Sequence, residues 1–157
     1  MAAETKRVLE GGVAVITGGA GGLGSAIAVE AATSLGMKAI VVDINPEAAG
    51  ELVSRIEGLG GDAEAAVVDV SKTDDVAKLA DHVFSTYNGV RLLINNADIE
   101  TLGFFWEISD RQWDAVSGVN ITGIAAVTRA FLPRMLASGQ ECWIANVSSL
   151  GVLGVLP

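Results

Sequence analysis

Residues 13 to 24 read V-A-V-I-T-G-G-A-G-G-L-G, an apolar run that breaks into a glycine-rich turn and opens directly into a helix. Val13, Val15 and Ile16 leave the run no wet face, which suits a parallel strand covered by helices on both sides. Gly18, Gly19, Gly21 and Gly22 lie within five residues, and glycine lets the backbone take positive φ and a ligand come close. From Leu23 the period changes: Leu23, Ile27, Ala31 and Leu35 recur every fourth residue with Ala28 and Ala32 beside them. The free N–H groups and the positive dipole end of that helix then face the turn, and a pyrophosphate is the natural occupant.

A chain of 157 residues is long enough for one domain and one core. We expect a lead-in over 1–10, mobile because it is polar and terminal, and a single domain over 11–157. Half of the residues are hydrophobic, with 19 glycines and few aromatics, which fits buried strands and alanine-faced helices. A net charge of −9 without a basic stripe argues against a nucleic-acid partner. The single Cys142 excludes an internal disulfide and a cysteine metal cluster, and no metal is expected. Residues 11–29 carry no charge, yet their seven glycines and the change of period argue against a membrane span. Lys6 and Arg7 are flanked by Glu4 and Glu10, and no signal-peptide core follows them. A cytoplasmic protein without membrane contact is the resulting expectation.

Strand and helix signals alternate along the rest of the chain. A second strand covers 38–43 and ends in Asp43, followed by Asn45 as N-cap and Pro46 at the first helical position. A third strand covers 63–69, closing on V-V-D, with Ser71 expected to cap the next helix. The fourth, 90–95, ends in N-N-A-D. A loop carrying Leu102, Phe104, Phe105 and Trp106 reaches Ser109, which with Gln112 forms a capping box for a long helix through Trp113, Val116, Ile121, Ile124 and Leu132. The loop residues either line a substrate pocket or pack against that helix. His82 falls on a solvated helix face and Cys142 in the core. The fifth strand, 142–147, runs into V-S-S-L-G-V-L-G-V-L-P. This alternation predicts a parallel sheet with helices on both faces, and a ligand site at the carboxyl ends of the strands, where Thr17, Asp43, Asp69, Asn95 and Ser148 fall.

The pattern of Thr17, Gly18, Gly22 and Gly24, then Asp43, Asp69, Asn95-Asn96-Ala97, Asn120 and Asn146-Val147-Ser148-Ser149, in this order and on these elements, resembles the short-chain dehydrogenase/reductase family. The resemblance runs from about Gly11 onward and matches the amino-terminal part of the family's domain, somewhat more than half of it. It implies a Rossmann-type doubly wound parallel α/β sheet, here truncated after the fifth strand. It also implies an oxidoreductase moving a hydride between a nicotinamide cofactor and a secondary alcohol or ketone, in full-length relatives that are homo-oligomeric.

Carried over by that resemblance, Gly18, Gly22, Leu23 and Gly24 bind the pyrophosphate and pack the helix on the strand. Asp43, 19 positions after Gly24, meets the adenosine ribose hydroxyls or serves as a turn residue before Asn45. As ribose ligand it favours NAD over NADP, because a carboxylate repels a 2′-phosphate and Ala20-Gly21 supplies no basic partner. Asp69 meets the adenine amino group, with Val70 beside it, or is a turn acid. Asn96 and Ala97 border the cofactor, and Asp98 stands where the family usually has glycine. Asn120 corresponds to the asparagine that bends the helix and anchors a relay water, or is a polar helix residue. Ser149, with Ser148 second, corresponds to the serine that holds the substrate oxygen, or both are turn serines.

The family's base is a tyrosine followed four residues on by a lysine, on the helix after the fifth strand. One helical turn sets the two on one face, and the lysine charge lowers the tyrosine pKa. The only tyrosine here is Tyr87, with Arg91 four positions later, ahead of the fourth strand, so we expect little or no turnover from these residues. A non-catalytic dinucleotide-binding or interaction module is the second reading. A receiver-like phospho-acceptor domain is set aside because Thr17 and glycines stand where it needs acids.

Overall fold

The computed structural model describes residues 8–149. Five parallel strands, β1 Val13–Thr17, β2 Lys38–Asp43, β3 Asp62–Val67, β4 Leu92–Asn95 and β5 Trp143–Asn146, form one sheet in the order β3-β2-β1-β4-β5. Helices α1 Gly22–Thr33, α2 Pro46–Gly58 and α3 Thr73–Thr86 connect the first four strands. Between β4 and β5 lie α4 Asp110–Ser117, a π-helical segment Gly118–Gly123 and α5 Ile124–Ala137. This is the expected doubly wound Rossmann-type architecture, and β1 sits where the strand order reverses direction.

Alternation along the central strands explains why β1 has no wet face. Val13 and Val15 turn to a core shared with Ile40, Val42 and Leu93, where Val76, Val83, Val127 and Phe131 pack from α3 and α5. Ala14 and Ile16 turn to the other core, with Ala39, Val41 and Ile94, where Ala28, Ala31, Leu52 and Ile56 pack from α1 and α2. Register pairs Val15 with Ile40 on one side and Leu93 on the other, so like positions stack across the sheet.

Several local expectations need correction. The buried face of α1 is Gly24, Ala28, Ala31 and Ala32, whereas Leu23 is 55% exposed. Only small side chains let that helix lie close on the sheet, which displaces the leucine outward. β3 ends at Val67, so Val68, Asp69 and Val70 already belong to the turn. Ser71 is not the cap of α3; Lys72 holds that position without a side-chain bond, because Ser71 is engaged with Asp69. β4 begins at Leu92, two residues later than the sequence signal.

The long helix is not continuous. The capping box of Ser109 and Gln112 starts α4 as expected, with Asn45 likewise capping α2 through the Ala48 N–H at 3.1 Å. The π segment then widens the coil, and each extra residue in a turn rotates the helix face by about 100°. Beyond it the face against the sheet is Val127, Phe131 and Met135, while Trp113 and Ile121 are exposed. By length and composition the run Asp110–Ala137 holds an 18-residue stretch, of mean hydropathy 1.4, apolar enough to cross a membrane, yet it lays this one stripe into the core.

Of the two roles expected of the aromatic loop, packing against the long helix is met at one contact, Phe105 on Trp113 of α4. Phe104 stacks on Trp106 at 4.9 Å and Phe105 meets Trp113 edge-on at 5.8 Å, all four side chains remaining exposed. Cys142 is half-buried and packs against the first core. His82 is exposed but paired, its Nε2 lying 2.6 Å from Glu64 Oε1, and the Tyr87 hydroxyl donates to Glu64 Oε2.

Candidate functional site

A cleft of about 1120 Å³ runs along the carboxyl edge of the sheet. One half is lined from β1, β2 and β3 by Gly18, Gly21, Gly22, Leu23, Asp43, Asp69 and Val70. The other half is lined from β4, the π segment and β5 by Asn96, Ala97, Asp98, Asn120, Ser148 and Ser149. Of the residues singled out in sequence for cofactor or substrate, only Gly24 does not line it, and Thr17 and Asn95 at the strand ends lie outside its lining.

The glycine turn is held from beneath. Thr17, 2% exposed, accepts at Oγ1 from the N–H groups of Asn96 and Ala97, at 3.0 and 3.1 Å, and donates to Ile94 O at 3.3 Å. Asn96 returns its amide N–H to Thr17 O and Gly18 O at 3.1 and 3.0 Å. The ends of β1 and β4 are thereby tied into one polar unit. A Cβ on Gly24 would stand 2.2 Å from Gly18 O, and one on Gly18 would stand 2.7 Å from Ala97 Cα. These two glycines permit packing. At Gly21 and Gly22 a Cβ would meet nothing within 4 Å, so their missing side chains leave open cleft.

That opening lies at the start of α1, whose N-cap Gly21 makes no side-chain hydrogen bond and whose first turn carries no acid. Uncapped N–H groups at the positive helix end, facing a gap that a side chain would fill, match a pyrophosphate. The residues present therefore fit a dinucleotide on structural grounds.

Asp43 is both the turn residue and the cleft acid. Its Oδ1 accepts the Asn45 N–H at 3.1 Å and its Oδ2 the Ala20 N–H at 3.0 Å, which couples the end of β2 to the glycine turn. Asp69 is double in the same way. Its Oδ1 accepts from Ser71 N and Ser71 Oγ at 2.9 and 2.6 Å while the residue lines the cleft. The Ser71 hydroxyl bond, outweighing the upward push of burial, holds the Asp69 carboxyl below its usual range. Val70 is buried under the π segment, where a Cβ on Gly123 would come within 3.1 Å of Val70 Cγ2.

Asn120 sits in the π segment and makes a reciprocal pair with one backbone unit. Its Oδ1 accepts from Ile99 N at 3.0 Å and its Nδ2 donates to Ile99 O at 2.9 Å. The π segment is thereby pinned to the chain leaving β4. Sequence reasoning missed the companion pair beneath it: Asn95 Nδ2 donates to Asn146 Oδ1 at 2.8 Å and to Thr128 Oγ1 at 3.2 Å. Asn95 and Asn146 are register partners at the ends of β4 and β5, so the coincidence of two strands ending in asparagine was the available signal. Among the described residues Asn95 Oδ1 is buried without a partner.

The model of the short chain dehydrogenase family matches residues 12–155. The chain belongs to the short-chain dehydrogenase family. It is 35% identical over 147 residues to a 3-oxoacyl-(acyl-carrier-protein) reductase of Thermotoga maritima, covering 93% of this chain and 59% of that protein. With a D-threitol dehydrogenase of Mycolicibacterium smegmatis the identity is 34%, over 90% of this chain and 54% of that one. A short chain dehydrogenase/reductase from Burkholderia phymatum, solved in complex with NAD, superposes with a TM-score of 0.91 at 37% identity, covering 96% of this chain and 53% of that chain. A metagenomic short-chain oxidoreductase in complex with NADP superposes with a TM-score of 0.86 at 33% identity, covering 91% and 64%. This short-chain dehydrogenase chain spans about half the length of the curated relatives it matches.

Proposed function

We propose that these residues form the NAD(H)-binding half of an oxidoreductase acting on a secondary alcohol or ketone. The carrying observation is the Asp43 carboxylate, fixed on the glycine turn through Ala20 N–H and facing the cleft. Each of its oxygens accepts one backbone N–H and has lone-pair capacity left for a ribose hydroxyl. The same charge repels a 2′-phosphate, and no lysine or arginine lines the cleft among the described residues to offset it. Relatives are found with either cofactor, so this local electrostatic argument is what favours NAD over NADP.

In this reading Gly18, Gly22 and Leu23 receive the pyrophosphate, Asp69 and Val70 the adenine, and Asn96 and Ala97 border the ribose on the β4 side. Gly24 supports the turn by packing. The bound nicotinamide supplies hydride exchange with the substrate carbon. Ser149 hydrogen-bonds the substrate oxygen, and Asn120 keeps the π segment and the chain leaving β4 at a set spacing. No tyrosine of the 157 residues is followed four positions later by lysine, so the chain binds cofactor with little or no turnover of its own. Intact homologous enzymes would act as homo-oligomers in the cytoplasm, without nucleic acid, membrane or metal.

The test is titration of the 157-residue chain with NADH and NADPH, followed by NAD and a panel of secondary alcohols and ketones. Tighter NADH than NADPH binding with no turnover is expected. Equal affinities sink the NAD preference, and measurable turnover sinks the inactivity.

A further inference from the structure

We propose that Asp98 makes this cleft favour the oxidised nicotinamide cofactor over the reduced one, an inference that rests on the dinucleotide reading above. The strand order divides the cleft into two halves about β1: Asp43 and Asp69 follow β2 and β3 on the adenosine side, and Asp98 follows β4 on the other. Asp98 shares that second half with Asn120, Ser148 and Ser149. It is the only carboxylate lining that half among the described residues, and no lysine or arginine lines either half.

Its location is not left to a loose loop. Ala97, before it, bonds through its N–H to buried Thr17, and Ile99, after it, is held through both N–H and C=O by Asn120. The carboxylate is therefore carried on backbone anchored one residue away on each side, at the edge where hydride exchange would take place.

The two redox forms share one adenosine and one pyrophosphate, so Asp43, Asp69 and the start of α1 act on both nearly alike. They differ by one positive charge on the nicotinamide ring. A carboxylate on the nicotinamide side of the cleft attracts that charge in the oxidised form and has no counterpart in the reduced form. Asp98 is exposed, so the attraction is weakened by solvent and by salt. A single partly solvated charge pair of this kind changes the affinity ratio by about three- to tenfold. The consequence is loading with NAD and release of NADH, which suits alcohol oxidation.

The experiment is calorimetric titration of the 157-residue chain with NAD and with NADH at low salt, comparing the ratio of the two Kd values. Asp98→Asn is expected to lower the preference for NAD about three- to tenfold. Raising salt to about 0.5 M should produce the same trend in the unmodified chain. Glu100→Gln, an exposed neighbour outside the cleft lining, should leave the ratio unchanged. Asp98→Gly removes the same charge with a different shape and serves if the asparagine variant fails to fold. A ratio unmoved by both substitutions overturns the role of Asp98 while leaving the site itself intact, whatever the salt dependence of the unmodified chain. Failure of the unmodified chain to bind either form overturns the dinucleotide reading, and this inference with it.

Discussion

The carboxylate of Asp43 accepts the backbone N–H of Ala20 at 3.0 Å, across 23 residues of sequence, so an acid that lines the cleft also holds the glycine turn. Removing its charge and removing its hydrogen-bond acceptor are therefore separable. Asp43→Asn keeps one of the two acceptors, for Ala20 or for Asn45, and should narrow the NADH-over-NADPH gap at a smaller cost in stability than Asp43→Ala. Asp43→Ala should narrow the same gap, weaken both cofactors, and cost about 1.5–3 kcal/mol, the range for a lost hydrogen bond to a charged group. Paired titrations and denaturant curves on the two variants separate these effects, and equal stability of both would remove the turn-holding role.

The glycines of the turn divide by what a methyl group would meet. Gly24→Ala drives a Cβ to 2.2 Å from Gly18 O and should destabilise by about 1–3 kcal/mol through overpacking. Gly21→Ala meets nothing within 4 Å at an extended backbone with φ of −123°, so its Tm should hold. Its methyl intrudes on the cleft, and cofactor affinity should fall by at least about fivefold, or roughly 1 kcal/mol. An affinity loss that follows stability in both variants would contradict the division.

Asn120 is a positioning residue whose two bonds close on one residue. In Asn120→Ala the amide of Ile99 loses its acceptor, and hydrogen exchange at that N–H should accelerate by an order of magnitude or more. Asn120→Asp keeps the acceptor and loses the donor, so the same amide should remain the better protected of the two. Unchanged protection in the alanine variant would show that the backbone after β4 is held by other contacts.

Away from the cleft, Glu64 on β3 takes the Tyr87 hydroxyl and His82 on its two oxygens. Burial pushes the Glu64 carboxyl upward, but these bonds outweigh it and leave it below its ordinary value. Its contribution to stability is thus present above the unfolded carboxyl pKa of 4.5 and lost as pH falls through the lower folded value. Tyr87 is shifted the other way, raised from 10.0 to about 12 by burial and by its bond to Glu64. Its contribution is fully present below pH 10.0 and is lost as pH climbs through about 12. Tyr87→Phe should cost about 1 kcal/mol at neutral pH and flatten the alkaline loss, read from Tm measured between pH 7 and 12. An unaltered alkaline limb would assign that loss to other groups.

Much of this was legible because its causes are local. The strand-turn-helix over 13–24, the Asn45 cap ahead of Pro46, the capping box of Ser109 and Gln112 and the order of five strands all follow from the period and turn chemistry of neighbouring residues. The same reasoning counted Leu23 and Trp113 in the apolar pattern of their helices, and both are exposed, because periodicity marks an apolar stripe without saying how closely a helix must approach. It treated the stretch from the Ser109 cap through Leu132 as one helix, because a π insertion leaves no mark in an apolar pattern.

What the sequence by itself determined is the alternating α/β plan, the glycine turn and the set of polar residues delivered to one sheet edge. Only the tertiary structure decided how that edge is wired: Asp43 to Ala20, Asn95 to Asn146, Asn120 to Ile99, Asp69 occupied on one oxygen by Ser71. It also decided that Asp98 stands on the β4 side of the cleft. The physical reason is range. Periodicity and capping act within a helical turn or a few residues, whereas Asp43–Ala20, Asn95–Asn146 and Asn120–Ile99 join groups 21 to 51 residues apart that meet only after the parallel strands have set their register.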